Sequence, residues 1–295
     1  MNIAIIASSK DPAGVNIRNN LIELYSFEKV DEKFDGNDIY ESKASNKAIT
    51  LYLTNNDLIF SENIDKTIYA DIFIFASKHR SKENTPSFAV HSIGNWYKAN
   101  FGGKEKTLCP SSPILLKNLF LSLIQNSHFS MKNTNFEVTL EATHHGPYIE
   151  KPAVFIEIGS TGKEWSNKFN GEIVAKTIMN ILSKSISEKF DESQIFQNQN
   201  YESCVVLGGG HYNQSANKLM LRANYAVGHI CPKYALEHLD EEMLMQAINK
   251  TVLRPNVIFL DWKGLGEQKQ KIILLLEKLN LRYERVQNVF REKSI

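Results

Sequence analysis

The sequence predicts an α/β protein, a mixed and largely parallel sheet flanked by helices. Three observations lead there. Strand-like and helix-like stretches alternate along the chain. Several strand-like runs, such as 72–76 (IFIFA), are apolar throughout, as in strands covered on both faces. The unusual polar motifs directly follow these runs, at 77–81, 91–96, 143–147, 159–162, 208–212 and 261–264. Ligands of open α/β sheets gather at such strand ends. A chain of 295 residues suits one large domain or two interlocked lobes, and we treat 1–295 as a single catalytic unit.

The elements follow in order. Strands are expected at 3–7, 49–53, 72–76, 87–91, 136–142, 153–158, 204–207, 225–230, 257–260 and 282–287. Residues 8–17 read as a loop leading to a helix that ends near 26. Further helices are expected at 113–125, 165–182, 232–239, 241–250 and 266–279. Pro113 suits a first helical turn. The stretch 28–47 is polar and reads as irregular with short pieces of structure, and 184–200 is polar without an aliphatic pattern. The run 153–158 is apolar apart from Glu157.

Composition narrows the classes. With 42% hydrophobic and 23% charged residues this is globular material, and no run approaches a membrane span. The start, MNIAIIASSKDP, reads as a first strand rather than a signal peptide. Three cysteines without a CxxC pair argue against a disulfide framework and fit a reducing cytoplasm. A net charge of +1 excludes a chain that is basic as a whole. Locally, residues 1–65 carry eleven acidic and six basic side chains, whereas 78–106 carry six basic and two acidic. The basic stretch can steer a phosphate-bearing ligand, or be only a solvated lysine-rich face.

The central stretch is 136–147, FEVTLEATHHGP. It alternates apolar and polar residues as far as Thr143 and then breaks at Gly146-Pro147. Glu141 therefore precedes two adjacent imidazoles, His144 and His145, at a strand end. Such a group suits an acid, a base or a metal ligand; a polar turn with surface histidines is the plain alternative. Gly208-Gly209-Gly210-His211 follows a buried strand, and its amides are candidates for an oxyanion hole, or simply for a flexible turn. Lys78-His79-Arg80 groups three donors, of which Arg80 suits a phosphate or carboxylate. Thr161 to Glu164 reads as a capping box, and the same helix start can hold an anion. His91 and His229 are further candidates, against a purely structural role. No HExxH, GxSxG or Walker A motif is present. Hydrolysis would therefore rest on water activated by His, carboxylate or metal.

The motifs DPAGVNI (11–17), SKHRS (77–81), HSIGNW (91–96), EATHHGP (141–147), FIEIGST (155–161), GGGHY (208–212), GHICPKYA (228–235) and DWKG (261–264) stand in an order that resembles the archaeal and plant type of D-aminoacyl-tRNA deacylase. Ser92 stands where that family often has Pro, and Asn213-Gln214 where it has Ala-Pro. The resemblance implies an α/β fold of phosphorylase/hydrolase type, similar in part to peptidyl-tRNA hydrolase. It implies hydrolysis of the ester between a D-amino acid and the terminal ribose of tRNA, with zinc as cofactor. On that reading His144, His145, His211 and Glu141 are catalytic, and the Gly208, Gly209 and Gly210 amides hold the oxyanion. Lys78, Arg80 and Lys163 hold tRNA phosphates, and His79, His91 and His229 are metal ligands together with His144 and His211. The expected partner is D-aminoacyl-tRNA, with no DNA and no membrane, for a cytoplasmic monomer. The rival readings are a metal-dependent amidase or esterase on a small substrate, and a non-catalytic tRNA-binding protein.

Overall fold

In a computed structural model, which describes residues 1–42, 48–130, 136–187 and 201–291, two sheets share one core. Along the chain come β1 (Asn2–Ser8), β2 (Phe27–Phe34), β3 (Asn37–Ser42), β4 (Ala48–Thr54), β5 (Ile72–Lys78) and β6 (Ser87–His91). A short ribbon, β7 (Gly94–Asn95) with β8 (Thr107–Leu108), precedes β9 (Glu137–Leu140) and β10 (Ala153–Gly159). Leaving out the ribbon, these strands form one eight-stranded sheet in the order β2-β3-β4-β1-β5-β10-β6-β9. The second sheet is parallel throughout. It orders β12 (Tyr225–Cys231), β11 (Glu202–Leu207), β13 (Val257–Leu260) and β14 (Tyr283–Arg285) side by side.

The helices are α1 (Pro12–Leu24), α2 (Pro113–Ser130), α3 (Gly162–Trp165), α4 (Lys168–Ser187), α5 (Gln214–Arg222), α6 (Glu241–Asn249), α7 (Lys269–Lys278) and α8 (Asn288–Arg291). α2 packs on both β6 and β12 and so joins the two sheets. None among the described residues is long and apolar enough to cross a membrane.

The mixed α/β architecture is the one expected, and the apolar runs became its buried strands. β10 shows how alternation places the site. Val154, Ile156 and Ile158 face the helices, while Ala153 and Phe155 face a separate apolar cluster on the other side. Glu157 continues that second face, fully buried. The lone carboxylate of an apolar strand therefore points into the interior beside Phe155.

Several expectations need correction. The stretch 28–47 is not irregular over its described part: β2 and β3 form an antiparallel hairpin. Asp35 and Gly36, both at positive φ, make its turn, and Asp-Gly is a strong hairpin signal. The first helix begins at Pro12, not after 17, because buried Asp11 caps it, accepting from Ala13 and Gly14 amides at 3.0 and 2.9 Å. The stretch 165–182 splits between α3 and α4, and α5 was not expected. The region 232–239 is a 3-10 helix, Lys233–His238. Of the polar stretch 184–200, residues 188–200 lie outside the described residues.

The largest correction is directional. β6 runs antiparallel to β10, and β9 parallel to β6. The ends of β6 and β9 thus point away from the ends of β5 and β10. The polar motifs do not share one rim of the sheet. Instead His91 lies level with Phe155 in the β6–β10 register, beneath a cluster spread over the sheet face.

Candidate active site

Glu141 is the hub. It follows β9, is 1% exposed, and bridges to Tyr212 in the loop after β11. The Ala142 amide donates to the His211 carbonyl and the Thr143 amide to the Ile230 carbonyl. These bonds tie the chain after β9 to the second sheet, so the site forms where the two sheets meet. Around the carboxylate stand His79 Nδ1 at 3.0 Å, His211 Nε2 at 3.6 Å and His144 Nε2 at 3.7 Å. Neither carboxylate oxygen has a well-directed hydrogen bond. Burial alone would raise the Glu141 pKa, but the His211 and His79 rings outweigh it and hold the carboxyl well below its ordinary value.

His79 sits between two buried carboxylates, with Glu157 Oε2 3.6 Å from the same Nδ1. Burial would depress this imidazole, yet Glu141 and Glu157 push it up to about 11, so the ring is a permanent cation near neutral pH. Its Nε2 lies 2.6 Å from the Tyr212 hydroxyl. Trp165 of α3 donates its indole N–H to the His79 carbonyl at 3.0 Å and fixes the backbone there.

His91, His144 and His145 form a second group, with donor atoms within 4.8 Å of one another. Each turns Nδ1 to a backbone carbonyl: His91 to Ser92 at 3.1 Å, His144 to Ala142 at 2.7 Å, His145 to Gly146 at 2.6 Å. Those bonds fix the rings with Nδ1 as donor and Nε2 free, the arrangement of metal-binding histidines with backbone partners. The His91 ring lies flat on Phe155, and its buried Nε2 has no hydrogen-bond partner. His145 has φ of 45°, in the left-handed region. An extended residue there would send adjacent rings to opposite sides. The turn instead brings the His144 and His145 centroids to 4.3 Å, facing the same space.

Burial and the neighbouring His91 hold His144 well below the ordinary histidine range, and push His145 down to about 4. At His91 the Glu157 carboxylate overcomes burial and raises the pKa. The field beside its Nε2 therefore favours positive charge, either a proton or a metal ion. A third donor group, Glu141, His144 and His211, shares His144 with the second. The remaining group, His79, Glu141 and Glu157, is occupied by its own ion pairs.

Two adjoining cavities open onto these side chains. The larger, about 510 Å³, reaches from the ends of β1 and β5 (Ser8, Ser77, Lys78, Arg80) to the histidines. The smaller, about 240 Å³, is bounded by Trp96, Tyr97 and Tyr234. Three loops lock together beneath them. A Cβ on Gly146 would meet the Gly103 amide at 2.2 Å and the Ile59 carbonyl at 2.3 Å, so only glycine permits that approach.

Of the expected residues, the fold brings together Glu141, His144, His145, His211, His79 and His91, with Lys78 and Arg80 lining the larger cavity. Others lie elsewhere. The Gly208 amide donates to the Cys231 carbonyl at 2.8 Å and is not free for an oxyanion. Gly209 packs against Gly264, where a Cβ would meet its amide at 2.2 Å, and neither Gly209 nor Gly210 lines a cavity. Gly208 and Gly209 pack against the 261–264 loop, and the turn carries His211 into place. Lys163 is exposed on α3 outside both cavities, although the capping box of Thr161 and Glu164 is formed as expected.

His229 belongs to none of the donor groups. It is fully buried, its Nδ1 3.3 Å from the Thr143 hydroxyl, which accepts the Ile230 amide. Ser92 and Asn213 are scaffold: Ser92 donates to the Gly228 carbonyl, and Asn213 caps α5 while donating to the Gly208 carbonyl. The three cysteines are buried and unpaired. Sequence reasoning missed Glu157, Tyr212 and Tyr234. Glu157 was visible as a lone acid in an apolar strand, and Tyr212 as the neighbour of His211. Tyr234, whose hydroxyl is 3.2 Å from His211 Nδ1, stood within GHICPKYA without being singled out.

His229 makes a prediction for stability. Burial and the charge of Lys250 push its imidazole down to about 3 from an ordinary 6.5. Between those values the unfolded chain binds a proton that the folded chain does not, so stability falls as pH falls through this window. Replacing His229→Asn should remove up to about 1.4 kcal/mol per pH unit from the acid slope of unfolding. Urea unfolding across the window measures that slope.

The chain is similar to proteins of one family. The D-aminoacyl-tRNA deacylase family model matches residues 66–284. A D-aminoacyl-tRNA deacylase of Thermococcus onnurineus is 36% identical over 290 residues, covering 95% of this chain and 98% of that protein. One from Methanocaldococcus jannaschii is 34% identical over 293 residues, covering 97% and 100%. The crystal structure of a conserved protein of unknown function, AF0625, superposes with a TM-score of 0.82 at 32% identity, covering 98% of this chain and 96% of that one. On the family match and these near-full-length identities, the chain belongs to the D-aminoacyl-tRNA deacylase family.

Proposed function

We propose that the cleft over Glu141 is where this chain hydrolyses the ester joining a D-amino acid to the terminal ribose of tRNA. The carrying observation is a fully buried carboxylate ringed by the His79, His144 and His211 imidazoles and open to both cavities through the last two. His211 is the general base. Its side chain is 34% exposed, lines both cavities, and presents Nε2 toward Glu141. It takes a proton from water as the water oxygen bonds to the ester carbonyl carbon. Glu141 stabilises the imidazolium that forms. When the carbon–oxygen bond to the ribose breaks, the same ring returns the proton to the leaving ribose oxygen. His79, a fixed cation, balances the charge of Glu141 and Glu157 and orients the Tyr212 hydroxyl. Lys78 and Arg80 attract the phosphates next to the terminal nucleoside.

Zinc suits the donors present. The Nε2 of His91 is a buried polar atom without a hydrogen bond, and donor atoms of the His91, His144 and His145 rings lie within 4.8 Å of one another, as ligands of a cation do. Imidazole and carboxylate are zinc ligands. His91, His144 and His145 would hold it. Bound there, it would supply Lewis-acid polarisation of the carbonyl and a lowered pKa for water. His229, expected as a ligand, lies outside this set and in none of the donor groups among the described residues.

His211→Ala should lower kcat by about a hundredfold or more, with the zinc content of the purified protein unchanged. His144→Ala, common to two donor groups, should lose activity and zinc together. Deacylation kinetics with metal analysis decide this. Full rates in both variants, folded by circular dichroism, would refute the assignment. Equal turnover of free D-amino acid esters and charged tRNA would favour a small-substrate esterase instead.

A further inference from the structure

The cleft is divided, and the division falls at the histidines. Phe101, His144, His145 and His211 line both the larger cavity of about 510 Å³ and the smaller one of about 240 Å³. An aminoacyl ester is also bipartite, with a nucleoside on one side of the scissile bond and an amino acid on the other. Resting on the deacylase reading above, we infer that the larger cavity seats the 3′-terminal adenosine and its phosphate, and the smaller one seats the amino-acid side chain.

Size, an exposed aromatic ring and the strand ends set this orientation. Lys78 and Arg80 line the larger cavity beside Asp11 and Asp57, and Lys98 lines the smaller; Arg80 is exposed with no ion pair among the described residues. Phe60 lines the larger cavity alone with 55% of its surface exposed, and Phe101, 67% exposed, is shared by both. A bare aromatic ring beside a free guanidinium is what a nucleobase and its phosphate use, by stacking and by charge. The larger space also begins at the carboxyl ends of β1 and β5, the crevice where nucleotides sit on parallel sheets. The smaller cavity is different. Trp96 is buried and donates to the Ile230 carbonyl at 3.1 Å, and Tyr97 is half-buried against His238. Ala235 forms part of the wall. Its walls are largely aromatic, suited to an amino-acid side chain.

The test measures kcat/KM for D-Tyr-tRNA and D-Ala-tRNA, and inhibition by AMP, in Phe60→Ala, Tyr97→Ala and Ala235→Val. Phe60→Ala should lower kcat/KM for both substrates by the same factor, roughly tenfold, and weaken AMP competition in step. Tyr97→Ala and Ala235→Val should leave AMP inhibition unchanged and shift the D-Tyr to D-Ala ratio by roughly tenfold in at least one variant. The narrowing substitution keeps the test open if Tyr97→Ala fails to fold. The reversed pattern, with Phe60 setting the amino-acid ratio or the other two weakening AMP, overturns the orientation. So does an unchanged ratio in both pocket variants. A wild-type protein inactive on D-Tyr-tRNA is instead a failure of the deacylase reading itself.

Discussion

Glu141→Gln is expected to lower kcat for D-aminoacyl-tRNA by about a thousandfold while the protein stays folded. The amide keeps the shape of the side chain and removes its charge. Three imidazoles lose their common counter-charge at once, because His79, His144 and His211 all lie within 3.7 Å of its oxygens. A His211 imidazolium formed during attack on the ester would then face a neutral dipole. Glu157 still holds His79, so the fold has a remaining anchor for that cation. Single-turnover kinetics beside circular dichroism separate the two effects. A variant within a fewfold of wild type would remove Glu141 from the chemistry.

Glu157→Gln should act mainly through stability and through the position of His79 and His91. Glu157 Oε2 is 3.6 Å from His79 Nδ1 and 3.9 Å from His91 Nε2, inside the sheet face. Breaking a buried pair at one partner leaves a charge uncompensated and costs about 3–5 kcal/mol. The pH dependence has a defined sign. The His79 pKa is raised from 6.5 to about 11 in the folded protein, so its stabilisation is complete below 6.5 and is lost as pH rises toward 11. Without Glu157 the upper limit of that window should move down. Alkaline unfolding of the variant should therefore begin at lower pH than in wild type. Thermal unfolding at several alkaline pH values measures this. An unshifted alkaline limb would contradict the pairing.

Much of this molecule was legible in the sequence because burial leaves local marks. Runs such as IFIFA announced strands covered on both faces, and EATHHGP announced a strand end rich in imidazole. What was lost depends on partners far away in the chain. Nothing local tells that β6 runs against β10, so the loops after 91 and 140 were placed on the wrong rim. That direction brings His91 onto Phe155 and makes a face, not an edge, the floor of the site. Glu157 carried a visible signal, since an acid in an otherwise apolar strand must find buried cations. The hairpin of β2 and β3 hid because it lies at the sheet edge with much of its length exposed, and only Asp35-Gly36 marked it. Gly208 looked like a free amide, but it is spent on the Cys231 carbonyl of the neighbouring strand, a partner that no local pattern names.

The hand of the substrate decides whether this cleft is a deacylase site for D-aminoacyl-tRNA. Intact protein should hydrolyse D-Tyr-tRNA and leave L-Tyr-tRNA essentially uncleaved under the same conditions. Equal rates on the two charged tRNAs, or hydrolysis of neither, would contradict that assignment.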